Sequence, residues 1–311
     1  MPAPSIVVVG SLNVDRVAKV EALPRPGETV MAAQYVQRFG GKGANQALAA
    51  QRCGASVSML GCVGDDPDGH AYLAHLRASK IDTTGIQIHK PSATGCALIA
   101  VNAAGENQII VALGANLHLT NRAVRRHRAV IHSAKALLLQ LEVPLEAAIA
   151  AMALAAQSHT PIVFNPSPWR RDFPWGTHGI GYVIVNELEA ENLLGFCPAR
   201  ATGAAAREVH QALPRLKIGT LIITRGARPT LCFSAALTVA VPTRPVTPID
   251  TVGAGDAFAG AFTAALAQDQ PVDEAIRWAN CAGALSTLKL GAQEALPTRA
   301  QVRRALRELE K

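Results

Sequence analysis

After its serine, Ser5 to Val9 is an unbroken β-branched run, and it stops at Gly10. Apolar residues without polar alternation predict a strand buried on both faces of a parallel sheet. Val17 to Val20 and Thr29 to Val36 read as short strands, with the turn Pro24-Arg25-Pro26-Gly27 between them. A helical pattern covers Ala44 to Arg52 and ends at Gly54. Val57 to Val63 predicts a second buried strand, and Gly64-Asp65-Asp66 opens a helix to about Ser79. Ile86 to Ile88, Cys96 to Asn102 and Gln108 to Ala112 alternate as strands, with Ala104-Gly105-Glu106-Asn107 as a hairpin turn. With the earlier pair, these strands predict a small sheet apart from the main one.

From Thr120 onward helix and strand alternate regularly. Thr120 caps a helix over Asn121 to Ile131. Ala136 to Leu141, Pro161 to Phe164, Tyr182 to Val185 and Thr220 to Thr224 read as strands. Helices are predicted at Pro144 to Gln157, Glu187 to Leu194 and Ala204 to Leu213, and a hairpin at Leu231 to Phe233 and Leu237 to Val241. Further helices run over Gly255 to Ala267, Val272 to Leu288 and Arg299 to Glu310. This order argues an α/β fold of three layers, α/β/α, with a mainly parallel central sheet covered by helices on both faces. The early strands that lack helices form a small β lid.

Composition narrows the classes. The 311 residues are 49% hydrophobic and 17% charged, enough for a large core, and no internal repeat or low-complexity linker divides them. The net charge of +7 reads first as a solvated basic surface. Its basic clusters, Arg122 to Arg128 and Arg299 to Arg307, carry no interleaved aromatics, which argues against nucleic acid as a partner. Six scattered cysteines form no C-x-x-C pair, so neither a disulfide framework nor a zinc site is expected. Met1 to Gly10 reads as a first strand rather than a signal peptide, and no apolar run reaches membrane-spanning length. A reduced, cytoplasmic protein is the simplest expectation.

Two glycine-rich loops change the picture: Gly40-Gly41-Lys42-Gly43-Ala44-Asn45 and Gly253-Ala254-Gly255-Asp256. Neither fits the phosphate loop G-x-x-x-x-G-K-[ST] or the dinucleotide fingerprint G-x-G-x-x-G. A glycine loop that opens a helix offers free N–H groups and the positive end of the helix dipole to an anion. The second loop also carries a carboxylate, Asp256, which a pure phosphate cradle has no use for. A site that holds a transferring phosphoryl group and deprotonates the attacking hydroxyl wants both. Asp256 could instead merely cap its helix, Asp15 could be a turn residue, and Lys42 a solvated loop lysine.

The chain resembles the ribokinase-like carbohydrate kinases over almost its whole length. Gly10-Ser11-Leu12-Asn13-Val14-Asp15 is similar to that family's first sugar-contact motif, and Phe39 to Ala47 to its double-glycine signature. Asp250-Thr251-Val252-Gly253-Ala254-Gly255-Asp256 resembles its D-T-x-G-A-G-D signature, and Asn186-Glu187-Leu188-Glu189 its N-x-x-E motif. Pro26 to Thr29, Leu139 to Glu142 and Asn165 to Pro168 are closest to the family's ribose-phosphorylating members.

The resemblance implies a single kinase domain over residues 1–311, with lid strands at about 15–38 and 86–112. It implies Asp256 as the base and the amides of Gly253, Ala254 and Gly255 as the anion hole. Asn13, Asp15, Gly41, Lys42, Gly43, Asn45 and Glu142 would bind the sugar, and Asn186, Thr224, Gly226, Gly255 and Asn280 the ATP. Glu189 would organise Mg2+ through water. Asp250 and the carbonyls of Val252, Ser286, Lys289 and Gly291 would bind a monovalent cation, typically K+. A homodimer joined through the lids is implied as well. Two positions depart from the pattern. Pro229 has no N–H to offer a phosphate, and Asn280 stands where histidine is common.

Among substrates, a phosphosugar is disfavoured by Asp15 and Glu142, whose charges would repel a second phosphate. For a nucleoside base the lid offers only Tyr35 and Phe39 to stack on. A free neutral pentose fits best, which predicts phosphorylation of D-ribose at its 5-hydroxyl. Another neutral sugar, a nucleoside, or a sensor that binds sugar without turnover are the alternatives.

Overall fold

Ile6 and Val8 of the first strand point into one core, Val7 and Val9 into another, and all four are buried. The same split repeats along the central strands, so this sheet must be covered on both sides. The structure, a computed structural model, describes residues 5–309. In chain order, β1 (Ser5–Val9) leads to β2 (Asn13–Lys19), β3 (Gln34–Gly40), α1 (Lys42–Arg52), β4 (Ser56–Gly64), α2 (Pro67–Ala78) and β5 (Asp82–His89). β6 (Gly95–Val101) and β7 (Asn107–Ala112) follow, then a 3-10 turn at Gly114–His118. The second half comprises α3 (Asn121–Arg126), α4 (Arg128–Ser133), β8 (Ala136–Leu139), α5 (Leu145–Gln157), β9 (Ile162–Phe164), β10 (Ile180–Asn186), α6 (Glu187–Leu194) and α7 (Gly203–Leu216). It closes with β11 (Ile218–Arg225), β12 (Arg228–Ser234), β13 (Thr238–Val241), α8 (Ala254–Ala267), α9 (Val272–Ser286) and α10 (Arg299–Leu309).

Nine strands form the large sheet in the order β13-β12-β11-β10-β9-β8-β1-β4-β5. All its pairings are parallel except β11–β12 and β12–β13. Helices α1, α2, α8, α9 and α10 pack on one face and α3 to α7 on the other. This is the three-layer α/β/α arrangement. A separate sheet of four strands has the order β3-β2-β6-β7.

Three expectations are corrected. Ile86 to Ile88 lies in β5, which pairs in parallel with β4 at the edge of the large sheet, so it takes no part in the small one. Alternation marks a half-buried strand but not the sheet that owns it. β2 begins at Asn13 rather than near Val17, because its first positions are polar site residues that break the apolar signal. The helix expected over Asn121 to Ile131 is two short ones meeting at His127; Thr120 does cap the first, accepting from the Ala123 N–H at 3.2 Å. Met1 to Pro4, the start of the expected first strand, and Glu310 of the last helix lie outside the described residues. Among the described residues, no helix is long and apolar enough to cross a membrane.

Candidate active site

The carboxyl ends of the central strands share one edge. Register sets Val9 beside Leu139, Leu139 beside Phe164, and Asn186 beside Thr224. The next residues, Gly10, Gln140 and Asn165, therefore gather at that edge, where ligands bind in open α/β sheets. Helices α8 and α1 bring the catalytic candidates there. They approach so closely at Gly260 that a Cβ there would fall 2.4 Å from the Gln46 carbonyl oxygen. Asp256 lies one turn before Gly260 on α8 and so meets the start of α1.

Asp256 is buried, at 7% exposure, and two amides hold its carboxylate. Asn45 Nδ2 donates to Oδ2 and Gln46 Nε2 to Oδ1, each at 2.9 Å. Helix α8 starts from Gly253 in the left-handed region (φ 77°), with no side chain capping it. Its first-turn N–H groups therefore have no intrahelical acceptor. Ala254 is the exception in part, because its N–H donates to the Thr251 carbonyl at 3.2 Å. Gly253 and Gly255 line a small cavity of about 120 Å³ with Asp256, Lys42, Asn165, Asn186, Glu189 and Thr224.

On the other side of Asp256 lies an acidic cluster. Glu142 accepts from the Ser11 hydroxyl at 2.5 Å and from the Lys42 N–H at 3.0 Å. The Gly43 N–H donates to Ser11 Oγ at 3.2 Å. Gly41 caps α1 and lies against the backbone of Leu12 and Asn13. Asn13 Oδ1 accepts from Asn116 Nδ2 at 2.8 Å, and Asn116 also brackets Leu12 through both its N–H and its carbonyl. Burial above all, then the charges of Glu142, Glu294 and Asp256, push the Asp15 carboxyl up to about 7; Arg38 pulls the other way.

Lys42 reaches beyond the sugar cluster that the resemblance implies for it, although its backbone N–H meets Glu142 there. Its side chain lines both the small cavity and a larger one of about 460 Å³. Burial works to lower the ammonium, but the charges of Asp256, Glu142 and Glu189 outweigh it and raise it overall. The larger cavity also takes in Asn186, Thr224, Gly226, Gly255 and Asn280, with Val246, Pro248 and Phe258 as apolar wall. The expected nucleotide residues are thus on one surface. Asn280 lies on α9. It is buried, accepts from Thr230 Oγ1 at 2.7 Å, and donates to the carbonyls of Val241 and Pro242 at 3.3 and 3.1 Å. Asn186 and Glu189 form a reciprocal capping box on α6, at 2.8 and 2.9 Å.

Asp250 and its expected partners line neither cavity. Its carboxylate accepts from the N–H groups of Val252 and Gly291, at 3.0 and 2.9 Å, and so ties the α8 entry loop to the segment after α9. Ser286 is buried there, while the Lys289 side chain is exposed. Sequence reasoning missed Gln46, Asn116, Gln140 and Gln293 as site residues. Gln46 stood inside a recognised signature without a role, and the others carry no local signal.

Residues 3–299 match the model of the pfkB family carbohydrate kinases. The chain belongs to that family. The pfkB kinase is similar to a ribokinase of Haemophilus influenzae, 38% identical over 297 residues that cover 95% of this chain and 96% of the relative. It overlays a solved ribokinase from Giardia lamblia with a TM-score of 0.88 at 28% identity, covering 99% of both chains. A ribokinase from Cryptococcus neoformans var. grubii, solved in complex with ADP, overlays with a TM-score of 0.81 at 32% identity, over 98% of this chain and 99% of that one. The fold is ribokinase-like.

Proposed function

We propose that this pfkB kinase transfers the γ-phosphoryl group of ATP to the 5-hydroxyl of D-ribose. The observation that carries the reading is the position of Asp256, between the polar cluster of Asn13, Asp15, Asn45 and Glu142 and a cavity opened by the N-terminus of α8. Asp256 takes the hydroxyl proton, the oxygen forms its bond to the γ-phosphorus, and the bond to the β,γ-bridging oxygen breaks to release ADP. The N–H groups of the Gly253–Gly255 loop face the charge that develops on the phosphoryl oxygens. Asn13, Asp15, Gly41, Gly43, Asn45 and Glu142 serve the remaining sugar hydroxyls; Lys42 suits the phosphates better. Asn186, Thr224, Gly226 and Asn280 border the nucleotide.

The residues suit the two metals that the family implies. Glu189 has one carboxylate oxygen engaged at the α6 cap and borders the phosphate cavity, which fits Mg2+, an ion bound by few carboxylates plus substrate oxygens. The Asp250 carboxylate draws Val252 and Gly291 around itself, which fits a monovalent cation held by their carbonyls with those of Ser286 and Lys289. When bound, Mg2+ neutralises phosphate charge and K+ stiffens the anion-hole loop. We read the protein as cytoplasmic, in keeping with six free cysteines, and as a homodimer joined through the small sheet, its lid. Coupled detection of ADP release with ribose, Mg2+ and K+ tests the reaction. Release with ribose is expected to exceed that with other neutral sugars and nucleosides; tight ribose binding without ADP release would identify a sensor instead.

A further inference from the structure

Behind Asp256 lies a run of amides that no ligand reaches. Gln46 and Gln140 have no exposed surface, Gln293 has 2% and Tyr72 none. Their polarity follows from chemistry. A carboxylate only accepts, so Asn45 and Gln46 must both turn their NH2 groups toward it. Their carbonyl oxygens then need donors of their own. Gln140 Nε2 donates to Gln46 Oε1 at 2.6 Å, and Gln293 Nε2 to Asn45 Oδ1 at 3.0 Å. Gln293 is fixed in turn: its NH2 also donates to the Tyr72 oxygen at 2.8 Å, and its Oε1 pairs with His75 Nε2 at 2.9 Å. The Tyr72 hydroxyl donates to the Gly40 carbonyl. Each amide in the run has one permitted orientation, and Gln140 is held by its NH2 alone, its Oε1 being buried without a partner.

We propose that Gln46 and Gln293 are positioning residues for the base. Gln46 holds one carboxylate oxygen directly; Gln293 holds the other through the Asn45 amide. Together they set the plane of the Asp256 carboxylate and leave its open lone pairs toward the sugar side. Catalysis by a fixed base depends steeply on such placement, where about 1 Å costs on the order of a hundredfold. Buried as they are, these glutamines contribute to turnover without touching substrate. The inference rests on reading Asp256 as the base.

The test pairs substitutions. Gln46→Met combined with Gln140→Met removes the Gln140 donor together with its acceptor, so that neither amide is left orphaned, while Asp256 and Asn165 lose the Gln46 NH2. Gln46→Glu keeps the shape and the acceptor for Gln140 but sets an oxygen against Asp256. Steady-state kinetics, ribose titration calorimetry and thermal unfolding are read on each, beside Asp256→Asn. In both Gln46 variants kcat should fall roughly ten- to a hundredfold, with ribose KM within about threefold of the parent. Gln293→Met should lower kcat and also raise ribose KM, because Asn45 is a sugar contact. A folded Gln46 variant with kcat within about twofold of the parent, or one that changes KM alone, overturns the positioning role. If Asp256→Asn loses turnover in the same experiment, the base reading survives that result; if it keeps turnover, both fall.

Discussion

Asp15 is a carboxylate in a place hostile to charge, and that has a measurable pH signature. Its folded value of about 7 lies above the 3.8 of a free side chain, so the folded protein keeps a proton that the unfolded chain gives up. The stability this group supplies is complete below about pH 4 and drains away as pH rises through 7. Asp15→Asn should therefore unfold at a higher temperature than the parent at pH 8, with the difference closing near pH 4; a difference of equal size at both would refute it. Asp256→Asn should keep ribose binding and lose turnover by at least about a hundredfold, read by calorimetry and ADP release. Such residues were legible because chemistry confined them to recognisable motifs, Asp256 to a glycine loop and Asp15 to the polar stretch after the first strand. Gln140 and Gln293 were not, since a single amide reads alike on a surface or deep in a polar network. Lys42 serves two places that a sequence position does not separate: its backbone N–H meets Glu142 while its side chain lines both cavities.

Helix α8 is where sequence and packing agree most closely. Its Ala-rich run predicted a helix from Gly255, and it begins at Ala254. What the pattern could not convey is that Gly260 is the contact point with α1. A Cβ there would meet the Gln46 carbonyl at 2.4 Å and the Ala49 Cβ at 2.6 Å, both on a rigid helix. Gly260→Ala should cost about 1–3 kcal/mol by overpacking. It should also lower kcat in whatever protein stays folded, because the helices part next to Asp256; chemical denaturation and kinetics check the two effects separately. A variant that loses stability but keeps full kcat would show the approach to be structural alone. The strand at Ile86 was misassigned for a plain reason. Hydrogen-bond partners far along the chain decide sheet membership, and alternation within seven or eight residues carries no record of them.

At the scale of the molecule, β–α alternation made the large sheet legible, whereas the order of its strands emerges only from pairing. The small sheet leaves apolar side chains in solvent: Tyr35, Leu98, Ile109 and Ile110 are each 47–68% exposed, and Leu98 lies directly opposite Ile110. A dimer through this sheet predicts that sedimentation finds twice the chain mass of 32.6 kDa, and that Ile110→Lys halves it. A parent that sediments as a single chain would refute this assembly. The chain passes from β3 into α1 through one residue, Gly41, at φ 88°. The neighbouring passage from β1 to β2 lies against it, so near that a Cβ on Gly41 would fall 2.7 Å from the Asn13 nitrogen. In mechanical terms these are two plates laid edge to edge, with no room for a side chain between them along that line. Asn13 and Asp15 belong to the plate of the small sheet, Asn45 and Asp256 to the helices packed on the large one. A hinge along that line, latched by a ribose that both plates hold, predicts a smaller radius of gyration in small-angle scattering when the sugar is added.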